Sequence, residues 1–247
     1  MALQEELEKE GNFLFRYRSY FPLVVLVAGL GVHILSELHN TGNKETLIYE
    51  IYEIFCVLVC LLGFSIRVLT VGYSANRTSG RNTKRQVAES VNTTGSYSLV
   101  RHPLYLGNFL MWLGIGMFTG NLYFIIIFTL SFWIYYERIM YAEEQFLRRK
   151  FDDLYLDWAA KVPPVFPNFK NYVKPAESFH LRKVLRKEKD GFFAFVLIIF
   201  IMENVGEWVK EGSFVIDDIW LWVLFIFSLL IYVILKIMKK RKMLDDK

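Results

Sequence analysis

Two cysteines in 247 residues are too few for a disulfide framework or a cysteine-based metal site, and no metal site is expected. Both of them, Cys56 and Cys60, fall inside one apolar run, where i,i+4 spacing puts them on one helix face as small packing residues. The chain also lacks the glycine fingerprint of a dinucleotide site, which counts against a nicotinamide-dependent membrane reductase. Its first ten residues carry Glu5, Glu6, Glu8 and Glu10, where a secretory signal needs a basic start followed by an apolar stretch. A short surface helix is expected there instead. The apolar runs hold few central charges and show no inverted repeat, so a transporter with a polar path is disfavoured. A non-enzymatic membrane scaffold remains an alternative.

What is present is apolar and aromatic surface: 54% hydrophobic residues, 17% aromatic, and a mean hydropathy of +0.29. It is concentrated in long runs, which predicts an all-α, polytopic membrane bundle. Expected spans are Tyr20 to Ser36, Leu47 to Val71, Gly191 to Val209 and Ile219 to Met238. The run from Leu104 to Tyr136 is too long for one span and is broken at Gly120-Asn121, which predicts a tight hairpin of two helices and about six spans in all.

Lys and Arg set the expected orientation. Arg16 and Arg18 precede the first span, and Arg77, Arg81, Lys84, Arg85 and Arg101 follow the second. Lys236 to Lys242 crowd the tail, whereas the intervening loops hold Lys44 and the acidic Asp217 and Asp218. Both termini are therefore expected on the cytoplasmic side, and the basic tail is expected to meet anionic lipid rather than nucleic acid. The chain divides into an N-terminal surface helix with two spans (1–72), a core (73–190) and a two-span extension with the tail (191–247). Near the outer end of the fifth span, Glu203 and Glu207 at i,i+4 read as structural pairing or interfacial anchoring, as does His33. Arg67, at the cytoplasmic end of the second span, either snorkels or faces the cavity.

A hairpin returns the chain to its starting side, so the residues before and after it are expected to meet. Before it stand Tyr97 and Arg101-His102-Pro103-Leu104-Tyr105-Leu106-Gly107. Pro103 suits the first turn of a helix, and His102 before it is biased away from helical geometry. After it come Glu137, Arg138, Glu143 and Glu144, then apolar residues at 147, 151, 154, 155 and 158 in helical spacing, ended by Val162-Pro163-Pro164. That spacing predicts one or two amphipathic helices on the membrane surface or over the site.

The order and spacing of these residues, over 82–167, resemble the isoprenylcysteine carboxyl methyltransferase family and its bacterial relatives. The resemblance implies a membrane enzyme that binds S-adenosyl-L-methionine in a cytoplasmic cavity. It places the cofactor on Glu89, Ser90, Val91 and Asn92, on Tyr97, on His102, Pro103, Leu104 and Tyr105, and on Glu143, with Asn82 as a further contact. The chemistry agrees: a carboxylate at Glu143 can pair with the cofactor's amine, while His102 and the adjoining helix N-terminus can receive its carboxylate.

The family's Arg for a substrate carboxyl falls on Ile139, beside Arg138, which counts against a prenylated cysteine. Arg101, Lys161 and Arg138 are the candidate anion anchors for the acceptor. The long extension and the Arg16-Tyr17-Arg18 approach look more like the bacterial lipid A phosphate methyltransferases of the same superfamily. The expected substrate is thus a lipid or lipid-anchored molecule, best a lipid phosphate, in the bacterial inner membrane. Isoprenylcysteine carboxyl or phospholipid amine methylation are the alternatives within enzymes.

Overall fold

Eight α-helices carry the chain in a computed structural model that describes residues 2–39, 47–75, 78, 86–213 and 219–244. They are α1 (Leu3–Tyr17), α2 (Phe21–His39), α3 (Leu47–Tyr73), α4 (Ser96–Leu99), α5 (Pro103–Met117), α6 (Leu122–Ala159), α7 (Leu181–Glu211) and α8 (Ile219–Lys240), with one 3₁₀ turn at Phe169–Asn171. There is no strand among the described residues. Arg77, Arg81, Asn82, Lys84, Arg85, Lys44, Asp217 and Asp218, used above for orientation and for one cofactor contact, lie outside the described residues.

Among the described residues five helices, α2, α3, α6, α7 and α8, are long and apolar enough to cross a membrane. The sixth expected span is α5, whose 15 residues reach about 22 Å, short of a ~30 Å hydrocarbon core. Its tight connection to α6 is as expected. Gly120 takes φ +63°, and the Asn121 side chain accepts from the Phe124 amide at 3.0 Å, capping α6. Outward-facing Val27, Ile48, Leu58, Leu130 and Ile226 are all exposed, as a lipid-facing belt requires.

The two halves of α6 differ from expectation. The start of the amphipathic stretch is not a separate element: α6 runs without a break from Leu122 to Phe151, because nothing between Tyr136 and Phe151 stops a helix, and only the last arm, to Ala159, is set apart. The single break is Asp152 (φ 44°, ψ −122°), which turns the last arm so that Tyr155 folds inward and is buried while Leu154 is exposed. The proposed boundary at 190/191 falls inside α7, whose apolar and polar halves form one continuous helix.

α3 and α5 pack most closely. A Cβ on Gly63 would meet the Gly107 carbonyl oxygen at 2.5 Å, and one on Gly114 would meet the Cys60 sulfur at 2.4 Å, so small residues let these backbones touch. Cys56 and Cys60 are buried and free, and the Cys60 thiol donates to the Met111 carbonyl at 3.2 Å. One core joins α3, α5 and α7 around Cys56, Met111, Phe195 and Met202; a second joins α1 and α6 around Phe15, Phe128, Phe132 and Ile139.

The junction between α3 and α7 is polar. Lys183, almost fully buried, donates to the Ser74 carbonyl and hydroxyl and to the Ala75 carbonyl just past the end of α3. Orphan carbonyls at a helix C-terminus favour a cation, so this contact fixes the start of α7 against α3. Phe179 packs on Gly72, and the His180 amide donates to the Gly72 carbonyl at 3.0 Å.

Candidate active site

The start of α2, the end of α3, the start of α5, the latter half of α6 and the start of α7 converge on one cavity of about 590 Å³. Its lining passes from polar to apolar. Arg18, Arg67, His102 and Glu143 stand in one part, and Met111, Trp112, Ile115, Phe195 and Ile198 in another. The α7 positions Lys187, Gly191, Ala194, Phe195 and Ile198 recur at helical spacing, so α7 turns one face to the cavity. The extension therefore builds the site as well as the bundle.

The two ends of the hairpin meet as the sequence predicts. His102 is the non-helical N-cap of α5 (φ −121°, ψ 60°) with Pro103 at the first helical position. Its Nε2 donates to Glu144 Oε1 at 3.0 Å, since a carboxylate only accepts, and its Nδ1 lies 3.8 Å from Glu143 Oε2. Arg101 donates from Nη1 to Glu144 Oε2 at 2.7 Å, and its backbone amide donates to the Pro163 carbonyl at 2.9 Å. The Tyr105 hydroxyl donates to Glu143 Oε1 at 2.9 Å. Adjacent carboxylates thus divide the work. Glu144 ties the Arg101-His102 loop to α6, and Glu143 faces the cavity with Tyr105.

The segment after α6 braces the loop before α5. The Gly95 amide donates to the Val173 carbonyl at 2.9 Å, the Asn168 amide to the Leu99 carbonyl at 2.9 Å, and the Val173 amide to the Ser98 hydroxyl at 2.9 Å. Gly95 sits at φ +62° with Pro175 against its α-carbon, a conformation glycine adopts without strain. Tyr97 is thereby held on the cavity wall, where burial, and then the Glu143 charge, push its phenol above its ordinary pKa. It stays a neutral hydroxyl beside Asn92. Asn92 is itself oriented, accepting from the Ala75 amide at 3.1 Å and donating to the Thr78 hydroxyl at 2.8 Å.

Of the residues singled out from the sequence, Ser90, Val91, Asn92, Tyr97, Arg101, His102, Pro103, Leu104, Tyr105 and Glu143 all line this cavity. Glu89 does not; it is exposed on the loop just outside. Neither Arg138 nor Lys161 lines it. Arg138 points to the other side of α6, where its Nε donates to Glu10 of α1 at 2.9 Å. Lys161 is exposed beyond the end of α6, and its carbonyl accepts from Asn171. Arg101 reaches the wall but is engaged by Glu144. Ile139, where the family's Arg falls, is fully buried in the aromatic core beneath α1 and cannot meet an anion.

The cavity also holds residues that sequence reasoning missed or left open. Arg67 donates from Nε and Nη2 to the two oxygens of Glu188 at 2.8 Å each, a bidentate pair with Glu188 only 3% exposed, and its Nη1 donates to Asn108. Glu188 lies far along the chain in α7, so only an isolated acid on a predicted apolar helix could have signalled it. The Trp158 indole nitrogen is buried at the wall and finds no acceptor among the described residues, so a donor is available there for a ligand. A cavity offering an acidic side chain, an unused indole donor, neutral tyrosines and a loop carrying Asn92 fits a zwitterionic nucleoside such as S-adenosyl-L-methionine.

Comparison with known proteins finds methyltransferases among those the chain resembles. The phospholipid methyltransferase family matches residues 52–153, from within α3 to Asp153 near the end of α6. A cobalt-zinc-cadmium resistance protein of Cupriavidus metallidurans is 33% identical over 112 residues, 45% of this chain and 49% of that protein. The protein-S-isoprenylcysteine O-methyltransferase of Schizosaccharomyces pombe is 36% identical over 84 residues, 34% of this chain and 36% of that enzyme. Its counterpart in Xenopus laevis is 28% identical over 162 residues, 64% of this chain and 54% of that enzyme. The matches thus span about half or less of these relatives' lengths. No solved structure matches the chain significantly. The matched segment holds Arg101-His102-Pro103 before the hairpin and Glu143-Glu144 after it, and over residues 52–153 the chain is similar to the phospholipid methyltransferase family.

Proposed function

We propose that the protein is an S-adenosyl-L-methionine-dependent methyltransferase of the membrane that acts on an anionic lipid-borne acceptor, with a lipid phosphate such as lipid A phosphate the preferred class. The observation that carries this reading is Glu143, hydrogen-bonded to Tyr105 and 3.8 Å from His102, on the wall of a cavity lined by both polar and apolar residues. When bound, S-adenosyl-L-methionine supplies an electrophilic methyl group on a sulfonium. Glu143 pairs with its amine. Ser90 to Asn92 and Tyr97 shape the wall beside it, and His102 with Pro103 presents the start of α5 to its carboxylate.

The protein's remaining task is positioning, because methyl transfer is an in-line displacement. An ionised phosphate needs no side chain to take its proton. The apolar residues of α5 and α7 suit the hydrocarbon part of the acceptor. α8 ends with Lys239 and Lys240 at the same end as the site, which by the positive-inside rule supports a cytoplasmic site, in our reading at a bacterial inner membrane.

Carboxyl methylation of an isoprenylcysteine is the second reading, favoured by the names of the eukaryotic relatives. The burial of Ile139 argues against it. Methylation of a phospholipid amine would first require the amine to lose a proton.

Calorimetric titration of the detergent-solubilised protein with S-adenosyl-L-methionine tests the proposal. Binding is expected in the parent and is expected to weaken by about tenfold or more in His102→Ala and Glu143→Ala, the loss of a charge-assisted contact. Labelled methyl transferred into a lipid extract, followed by phosphate analysis of the product, distinguishes the acceptors. A folded parent that does not bind the cofactor would sink the methyltransferase reading and leave the scaffold.

A further inference from the structure

Residues 163–180 cross the site end of the bundle, tied to other elements through their backbone. The Pro163 carbonyl accepts from the Arg101 amide, and the Asn168 amide donates to the Leu99 carbonyl, both at 2.9 Å. Farther along, the Val173 carbonyl accepts from the Gly95 amide, the Val173 amide donates to the Ser98 hydroxyl, and the Ala176 amide donates to the Thr94 hydroxyl at 3.1 Å. Pro163, Pro164, Pro167 and Pro175 fix φ at four points along the way. The side chains that this segment turns outward are therefore presented by a braced backbone.

Those side chains are large and apolar. Phe166 is 81% exposed, Phe169 76% and Tyr172 59%, and Val173 beside them is exposed as well. The turn at Phe169–Asn171 is itself fixed: the Asn168 side chain accepts from the Lys170 amide at 3.2 Å, and the Asn171 side chain donates to the Lys161 carbonyl at 2.6 Å. Lys161, Lys170 and Lys174 are exposed among the aromatic residues, and residues 161–176 contain no Asp or Glu. Clustered rings this exposed are unfavourable in water. Interleaved with ammonium groups and no acid, they have the composition of the membrane–water boundary, where rings sit at headgroup level and lysines meet lipid phosphates.

The height of the segment agrees. Its first anchors, Leu99 and Arg101, come just before Pro103, where the apolar α5 starts. At its other end the His180 amide donates to the Gly72 carbonyl, beside the end of the apolar α3 at Tyr73. Both attachments lie where apolar helices give way to polar chain, which is the level of the headgroups.

We infer that the aromatic and basic face of residues 161–176 rests on the surface of the membrane that holds the bundle, with Phe166, Phe169 and Tyr172 among the headgroups and Lys161, Lys170 and Lys174 on anionic lipid. The backbone that presents this face also holds Gly95, Ser98 and Leu99, which flank Tyr97 on the cavity wall. Contact with lipid thus braces that wall from outside. The inference rests on the membrane spans alone and stands whether or not the cavity binds a methyl donor.

The test places single nitroxide labels on the full-length protein in lipid nanodiscs, at Phe166→Cys and at Phe169→Cys, with Val27→Cys as the lipid-facing reference. Cys56 and Cys60 are buried, so the unsubstituted protein is expected to take up no label. In phosphatidylglycerol discs both loop labels are expected to collide more with membrane-soluble oxygen than with a water-soluble nickel chelate, as at Val27 but to a smaller degree. Adding Lys170→Gln and Lys174→Gln to Phe169→Cys is expected to shift the label toward the chelate, and so is replacing phosphatidylglycerol by phosphatidylcholine. Thermal melting is expected to match the parent, since the altered loop side chains are exposed. The inference is overturned if the loop labels favour the chelate in phosphatidylglycerol discs. It is equally overturned if they are shielded from both reagents or broaden one another across two copies, since the face would then be a contact with protein. A label depth indifferent both to the two lysines and to lipid charge overturns the role of anionic lipid.

Discussion

The bundle buries charge at both of its ends, and the ends use it differently. At the far end, His33 Nε2 donates to the Met202 carbonyl at 3.0 Å, and its Nδ1 lies 3.8 Å from Glu37, whose side chain is 2% exposed. Lys210 approaches Glu37 at 3.9 Å, and a Cβ on Gly206 would already meet the His33 ring at 3.1 Å. Those groups are packed against α7 and none of them lines the cavity. At the site end, Glu143, His102, Tyr105 and Tyr97 converge on a space of about 590 Å³. Buried polar groups marked a functional site only where the backbone left room beside them. Without room, the same residue types are the polar contacts that hold two helices together.

Four substitutions sharpen or break this comparison. The largest effect is expected from Arg67→Ala, which strands the Glu188 carboxylate without its partner and should cost about 3–5 kcal/mol of stability. Thermal melting in detergent measures it, and adding Glu188→Gln should recover part of the loss. At the far end, His33→Ala should remove a buried hydrogen bond, costing about 1–3 kcal/mol by the same measurement. Its affinity for S-adenosyl-L-methionine should stay within about twofold, since distant sites act independently; a larger loss would break the comparison. Trp158→Phe should leave melting nearly unchanged and weaken the cofactor by about 0.5–1.5 kcal/mol in calorimetry, the worth of one hydrogen bond.

The smallest effect belongs to the clamp of α1. Glu8 accepts from Arg149 at 2.5 and 2.9 Å, and that bond holds its carboxyl below the ordinary value of 4.5. A depressed carboxyl stabilises the fold above its unfolded pKa, and that contribution is lost as pH falls through the folded value. Glu8→Gln should therefore melt below the parent at neutral pH, by about 0.2–1 kcal/mol for a largely exposed pair, and the two should converge in acid.

Much of the frame was legible along the chain because hydrocarbon thickness and helix rise are fixed quantities. The apolar runs reappear as α2, α3, α7 and α8 with ends shifted by a few residues, and Gly120-Asn121 is the turn it was expected to be. His102-Pro103 opens α5 because proline restricts the residue before it, whatever surrounds them. The extent of α6 was not legible. An amphipathic pattern reads the same whether its helix starts afresh or continues a span, and only the strained Asp152 marks the change of direction.

The meeting of Tyr105 with Glu143 follows from hairpin geometry, and so it was available from sequence alone. The placing of cations was not. Arg101, Arg138 and Lys161 are equally basic on paper, but helix phase sends Arg138 to α1, the end of α6 leaves Lys161 exposed, and Glu144 engages Arg101. Arg67 and Glu188 are brought together by packing between helices distant in the chain, through close contacts at Gly63 and Lys183. The sequence by itself determined an all-helical membrane protein with a hairpin whose two ends carry the polar chemistry, because period, length and proline act locally. Only the tertiary structure decided which charges face the cavity, because that depends on the rotation of each helix about its axis, which is set by neighbours far along the chain.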